Sequence, residues 1–322
     1  MIFQILVTVL ALVLIFIFSI NKFSKQIEQV AGDKLKTVLK NLTKNPVIGT
    51  LTGTAVTSII QSSTATTVMT VGLVNAGIIT FYESLSIVFG ANIGTTITSQ
   101  LIAFNVTAIA PFIIILGFLL LKFGRKYSVY GKSVFYFGLV FFCISLITQV
   151  VAPLTGNTDI LNTISKITSI PIAIIVGVLI TTLFQSSSVT GGLILALATS
   201  GLISLPQGIG LMLGANIGTT STALLAAIPM AIEAKKTALA HFLFNLIGVI
   251  IIYPFLPILT NLIMGFGGNT TQQIANMHLL FNLISTTIFL VFIKQFFYVI
   301  NRLSKLKVLH ASIKNLEPKI GA

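Results

Sequence analysis

The sequence predicts an all-α polytopic membrane protein made of two inverted repeats, each with a re-entrant helical hairpin and a broken transmembrane helix. Three observations predict it. The 322 residues are 55% hydrophobic and only 8% charged, a composition outside the range of water-soluble domains. The 19 Lys and Arg residues are confined to a few stretches between apolar segments. One polar motif and one glycine motif each occur twice, at equal separation.

The elements follow in order. Residues 2–20 are continuously apolar and lack the basic start and small-residue cleavage pattern of a leader, so they read as a retained first span. "GDKLKTVLKNLTK" then sets apolar residues at helical spacing against four lysines, which suits a helix lying on the cytoplasmic membrane surface, with a solvated linker as the alternative. Crossing ~30 Å of hydrocarbon takes about 17–25 apolar residues. Segments of that kind recur at 84–103, 106–121, 133–152, 206–226, 238–256 and 274–293. Regions 47–80 and 171–203 are too long for one crossing and are interrupted by "QSST" and "QSSS". Each reads as a hairpin that enters and leaves on one side.

Charge tests this count. With seven spans, two hairpins and the N-terminus outside, residues 21–45, 122–132, 231–237 and the C-terminal tail all fall inside. Those stretches hold 18 of the 19 basic residues, as the positive-inside rule requires. The implied divisions are 1–45 (first span and amphipathic segment), 46–132 (repeat 1), 133–170 (connecting span and external loop), 171–256 (repeat 2) and 257–322 (last span and basic tail). The net charge of +13 is thereby absorbed by topology. Nucleic-acid binding is not implied, because the bases of the charge lie between spans rather than on one face.

Gln61 and Gln185 are 124 residues apart, as are Asn92 and Asn216 in the two copies of "GANIGTT". Interrupted short segments at matching positions of two inverted halves point to a transporter site near the bilayer midplane. At each Gln-Ser-Ser tip a new helix begins, and its free N–H groups with the positive end of its dipole suit a small oxyanion. The "GANIGTT" glycines permit either helix unwinding, which would expose carbonyls to a cation, or close backbone approach. No Lys follows the second glycine, so this is no P-loop.

Two further motifs, "HFLFN" at 241–245 and "HLLFN" at 278–282, place His and Asn on one helix face. They suit either a proton relay or hydrogen bonds between helices. An HExxH motif, paired carboxylates and a Cys/His cluster are all absent from the sequence, which removes metallohydrolase chemistry. The single cysteine, Cys143, reads as lipid-facing or packed. With no charge near the middle of any span, a multiply charged anion would be costly to bury unless cations came with it. Sodium would meet that need.

"NPVIGTLTGTAVTSIIQSSTATT", "GANIGTTITSQLIAF", "QSSSVT" and "ALAHFLFNLIGVIIIYP" resemble the sodium/phosphate cotransporter family, the bacterial relatives of the animal type II cotransporters. The resemblance covers Asn45 to about Ile293. It implies inorganic phosphate as substrate, contacted by Ser62, Ser63 and Thr64 of the first tip and by Ser186, Ser187 and Ser188 of the second. It implies sodium as the coupling ion, held by Gln185, Ser186, Thr219 and Thr222, with Gln61, Asn92, Thr95, Thr96 and Asn216 in support. Thr64 departs from the family's usual third serine but keeps the hydroxyl. No cofactor other than sodium and no catalytic residue is implied. The resemblance further suggests a bacterial cytoplasmic membrane and a PhoU-like regulator as partner, the chain being either a transmembrane-only member or a shortened one. Two other readings remain at this level: a sodium-independent phosphate channel or exporter, and a phosphate-binding membrane sensor.

Overall fold

A computed structural model describes residues 2–124, 128–165 and 169–314. Arg125, Lys126, Lys166 and the tail beyond Lys314, which contribute to the charge pattern, lie outside the described residues. Among the described residues the chain is helical with no strand. Seven helical stretches are long and apolar enough to cross a membrane: Ile2–Asn41, Phe81–Ala103, Val106–Phe123, Tyr130–Gly156, Leu205–Ala227, Ile232–Gly265 and Thr270–Val291. The protein is a multi-pass membrane protein of the all-α class.

The first helix, α1 (Ile2–Asn41), is longer than its apolar part requires. Its 40 residues extend about 60 Å, twice the hydrocarbon thickness. The basic segment is therefore neither a linker nor a separate surface helix, but a continuation of the span. Nothing in it breaks a helix: Gly32 is its one glycine and Pro46 lies beyond its end. Its second half is held by packing, with Leu35 and Leu39 buried against Val56 and Ile60, and Ser24 Oγ donating to the Ile60 carbonyl at 3.1 Å. Glu28 lies inside this helix.

Both hairpins form. The first is α2 (Pro46–Ile60) and α3 (Ser63–Asn75), the second α8 (Ile170–Phe184) and α9 (Ser187–Thr199). Arms of 13 to 15 residues reach only about 20–22 Å, too short to cross. Asn45 caps α2 through its side-chain oxygen, which accepts from Val47 and Ile48 N–H at 2.9 and 3.3 Å, and Pro46 occupies the first turn where its missing N–H is harmless.

The helix after the first hairpin, α4 (Phe81–Ala103), starts at a capping box in which the Thr80 N–H donates to Glu83 at 2.7 Å. Its counterpart α10 (Leu205–Gly218) starts with Ser204 and Gln207 in the same relation, 124 residues later. The expectation of a broken helix fails for α4, which runs uninterrupted through "GANIGTT". In the second copy the only interruption is Thr219, itself at helical angles of −61° and −24°, between α10 and α11 (Thr220–Ala227).

The glycines serve close approach instead. A Cβ on Gly90 would run into the Thr50 carbonyl, and one on Gly94 would lie 2.6 Å from the Thr54 carbonyl oxygen. Gly214 and Gly218 stand in the same way against Ile174 and Val178. Each pair is its partner displaced by 124, as are Gly53 against Ile87 and Gly177 against Leu211. Backbone-to-backbone contact of this kind joins α2 to α4 and α8 to α10 with no side chain between.

Four helices complete the frame: α5 (Ala110–Phe123), α6 (Ser128–Val151), α12 (Ile232–Ile252) and α14 (Thr270–Val291). Shorter α7 (Thr158–Ser165) and α13 (Leu256–Gly265) connect them, and α15 (Ile293–Lys314) closes the chain. Phe89 of α4 stacks on Phe244 of α12 with centroids 4.8 Å apart, and both rings meet Phe289 of α14. Cys143 of α6 is packed, in a core that includes Phe16, Phe141 and Ile144.

Candidate functional site: two hairpin tips

Each tip turns through one residue. Gln61 and Gln185 both adopt the left-handed conformation, at φ 58° and 54°, a region a side chain enters only at some strain. Their N–H groups donate to Thr57 and Thr181 carbonyls at 2.7 Å, ending the first arm. The next residues, Ser62 and Ser186, are extended and cap the second arm, their Oγ accepting from Ala65 and Val189 N–H at 3.1 and 3.3 Å. An N-cap serine uses a lone pair for this role, so its O–H remains free to donate. A hydroxyl pair then clips the arms of each hairpin together: Thr57 to Thr66, and Thr181 to Thr190, both at 2.9 Å.

The two tips meet. Thr64 Oγ1 donates to the Gln185 carbonyl at 3.4 Å, and Ser188 Oγ donates to the Gln61 carbonyl at 3.4 Å. Thr64 and Ser188 correspond under the 124-residue repeat, so the contact is reciprocal. It sets the N-termini of α3 and α9 against one another, with Ser63, Ser187 and Ser188 buried between them. Among the described residues no charged side chain lies in α2, α3, α8, α9 or α10. The junction thus offers hydroxyls, N–H donors and two positive helix ends to an anion, with no fixed counter-charge.

The halves differ at their glutamines. Gln61 is buried, its Oε1 accepting from Thr98 at 2.7 Å and its Nε2 donating to the Ser58 carbonyl at 2.6 Å. Gln185 is exposed. Thr222, the repeat partner of Thr98, consequently keeps a buried hydroxyl without a partner. Thr219 lies beside Thr64 at 3.5 Å, so Gln185, Ser186, Thr219 and Thr222 fall on adjoining elements at the second tip. The supporting set is less convergent. Asn92, Thr95 and Thr96 bond to their own helix, at Val88, Ala91 and Ile93 carbonyls, as side chains on an unbroken helix do.

Sequence reasoning left His278 undecided between relay and bridge. It joins α4 to α10, with Nδ1 3.1 Å from Ser99 Oγ and Nε2 3.0 Å from Asn216 Oδ1. The carbonyl oxygen of Asn216 can only accept, so Nε2 carries the proton and Nδ1 accepts from Ser99. Beyond this bridge lies a cavity of about 460 Å³ lined by neutral polar groups that include Thr199, Asn269, Thr271 and Gln272.

The chain matches the Na+/Pi-cotransporter family over residues 15–149 and 154–290. It belongs to that family. The match takes in both hairpins and both "GANIGTT" helices, and a family of transporters leaves no enzyme activity to assign. Among similar proteins, "Uncharacterized protein YqeW" of Bacillus subtilis is 33% identical over 93% of this chain and 98% of its own length. The "Putative inorganic phosphate export protein YjbB" of Escherichia coli is 28% identical over 82% of this chain, which spans only about half (49%) of that relative. Sodium-dependent phosphate transport protein 2C of Mus musculus is 46% identical over 31% of this chain and 18% of its own length. No solved structure matches.

Proposed function

We propose that this protein moves inorganic phosphate across the membrane by sodium-coupled alternating access, with phosphate held between the hairpin tips. The observation that supports the reading is the reciprocal contact of Thr64 and Ser188 with the opposite tips, since Ser62, Ser63, Ser186 and Ser187 begin the two helices that this contact joins. Phosphate there would receive neutral donors only, so its charge must be met by accompanying cations. Neutral oxygens suit sodium, and Thr222 supplies an unpartnered one a helical turn after Thr219. The names of the mouse and Escherichia coli relatives support phosphate, and the mouse name supports sodium dependence.

In this reading the repeats are inverted, the first hairpin entering from the cytoplasm and the second from outside. The basic segments set the N-terminus outside and the C-terminus inside a bacterial cytoplasmic membrane. A PhoU-like regulator would meet the basic cytoplasmic face.

The test is uptake of labelled phosphate into proteoliposomes under an inward gradient of sodium, potassium or choline. Accumulation with sodium alone supports coupled transport. Equal flux in all three supports the second reading, a sodium-independent path, which the export name of the Escherichia coli relative favours. Phosphate binding without flux would sink both in favour of a sensor.

A further inference from the structure

Ten buried side-chain polar atoms have no hydrogen-bond partner among the described residues, and seven of them lie in one region. They are Thr67 Oγ1, both ring nitrogens of His241, Asn245 Oδ1, Ser285 Oγ, Asn282 Oδ1 and Asn216 Nδ2. These residues are all 3% exposed or less. Leaving a buried donor or acceptor unpaired costs about 1–3 kcal/mol each, so seven in one region call for a common partner.

Their order follows from helix register. Phe244 meets Phe289 at 4.9 Å, and a Cβ on Gly248 would lie 3.0 Å from Ser285 Oγ, so α12 and α14 cross antiparallel at Gly248 and Ser285. Asn245 and His241 lie successively one turn to one side of this crossing. Asn282 and His278 lie successively one turn to the other. Each asparagine donates its amide to the carbonyl of the histidine four residues earlier, at 3.1 and 2.8 Å, and keeps a buried oxygen without a partner.

Thr67 joins at the His241 end. Asn75 accepts from the Ala231 N–H at 2.8 Å, and Val71 packs with Ala234 and Ala238, so the next turn of α3 brings Thr67 to the level of His241. Asn216 joins at the other end through His278.

The two termini of this row are polar and bonded. One is the Ser84–Thr237 hydroxyl pair at 2.9 Å, a turn from the ion pair of exposed Glu233 with half-buried Lys236. The other is the bridge of His278 to Ser99, below the cavity where Thr199 meets Thr271 at 2.8 Å. Between Thr237 and Thr271 no Asp, Glu, Lys or Arg lies on α12 or α14, nor on the facing stretches of α3, α4 or α10. The two histidines are the titratable groups of the row.

We propose that the α12–α14 seam holds a continuous file of hydrogen-bonded water molecules, anchored by a polar side chain at about every helical turn, and that this file carries protons between the Ser84–Thr237 end and the polar cavity. Water is the ligand whose chemistry fits, because the free atoms are a mixture of neutral donors and acceptors with no charge to bind an ion. A protonated water gives its proton to the lone-pair nitrogen of His241, and the opposite ring N–H releases one to the next water. One proton enters and one leaves, with nothing oxidised or reduced. The row includes Thr67 of the first hairpin and Asn216, so proton movement is measured without phosphate or sodium to keep its outcome separate from that of phosphate transport.

The experiment uses the full chain in proteoliposomes with an entrapped pH-sensitive dye, in potassium medium with valinomycin and with neither phosphate nor sodium. After an external pH step, internal acidification should exceed that of protein-free vesicles. His241→Phe should lower the excess by about 10²-fold, as expected for loss of a proton-transfer group, while Ser133→Ala, which removes an unpartnered hydroxyl outside the seam, should not. Acidification equal to that of empty vesicles overturns the proton path, as does equal loss in both variants. Ser285→Ala tests the water itself, because Ser285 Oγ has no protein partner. If that hydroxyl is bonded to water, thermal stability falls; a dry, unpaired hydroxyl replaced by an apolar group leaves it unchanged or raised, which would overturn the file.

Discussion

Gln61 and Gln185 share a left-handed backbone and differ in everything their side chains do. Glycine adopts that backbone without strain, so Gln185→Gly, which removes an exposed side chain, should leave thermal stability unchanged or slightly raised. If Gln185 holds sodium, the same variant needs more sodium for half-maximal phosphate uptake. Uptake with the wild-type sodium dependence would remove Gln185 from the ion site. Gln61→Gly should behave differently, because it abandons the Thr98 and Ser58 bonds. A loss of about 1–3 kcal/mol is expected from the buried groups left unpaired, read as a lower unfolding midpoint in detergent. Ser188→Ala removes one of the two hydroxyls that join the tips, and phosphate affinity should fall while the fold persists; unchanged affinity would place the anion elsewhere. The residue types at the tips were legible in the sequence, since the Gln-Ser-Ser spacing repeats without insertion. Their geometry was not: the different settings of Gln61 and Gln185 depend on whether each reaches across to α4 or α11, which a local pattern does not encode.

The hairpin arms and their following helices are joined where glycine leaves no side chain. Gly90→Ala and Gly214→Ala should each destabilise by about 1–3 kcal/mol, the usual range for overpacking, because the added carbon meets backbone that cannot turn aside. Gly72→Ala in α3 has no atom within 4 Å of the new carbon and should be neutral or stabilising by up to about 1 kcal/mol. Thermal unfolding of the three variants in one detergent checks both signs, and equal behaviour would show that the contacts carry no stability. At this scale the sequence was read correctly for span number and for hairpin position. It misled on "GANIGTT", because the same glycine spacing serves unwinding and close packing, and only the facing Thr50 and Ile174 carbonyls decide between them. It misled again on "GDKLKTVLKNLTK" at 32–44, where a polar face suggests a surface helix or a linker although Leu35 and Leu39 are buried by a hairpin that follows later in the chain.

Across the whole molecule, one cluster joins α4, α12, α14 and α15, and a second joins α1, α6 and α9 to α8 and α10, with Ile102 of α4 and Ile274 of α14 taking part in it. Cys143, the single cysteine, sits 1% exposed in the second of these. A maleimide should therefore react with it at the rate of global unfolding, and rapid labelling of the folded protein in detergent would contradict that packing. The seven spans and the charge pattern made the membrane class legible from composition alone. The clusters themselves were not legible, because nearly every residue of a span is apolar and periodicity cannot select the inward face. The glycine contacts between α8 and α10 carry one more consequence. They join the second tip to the helix that ends at Thr219, so an ion seated there and an anion seated at the tip would act on a single rigid lever. Each ligand would then bias the same displacement, and linkage makes the effect mutual: whatever factor the cation adds to the anion's affinity, the anion returns to the cation.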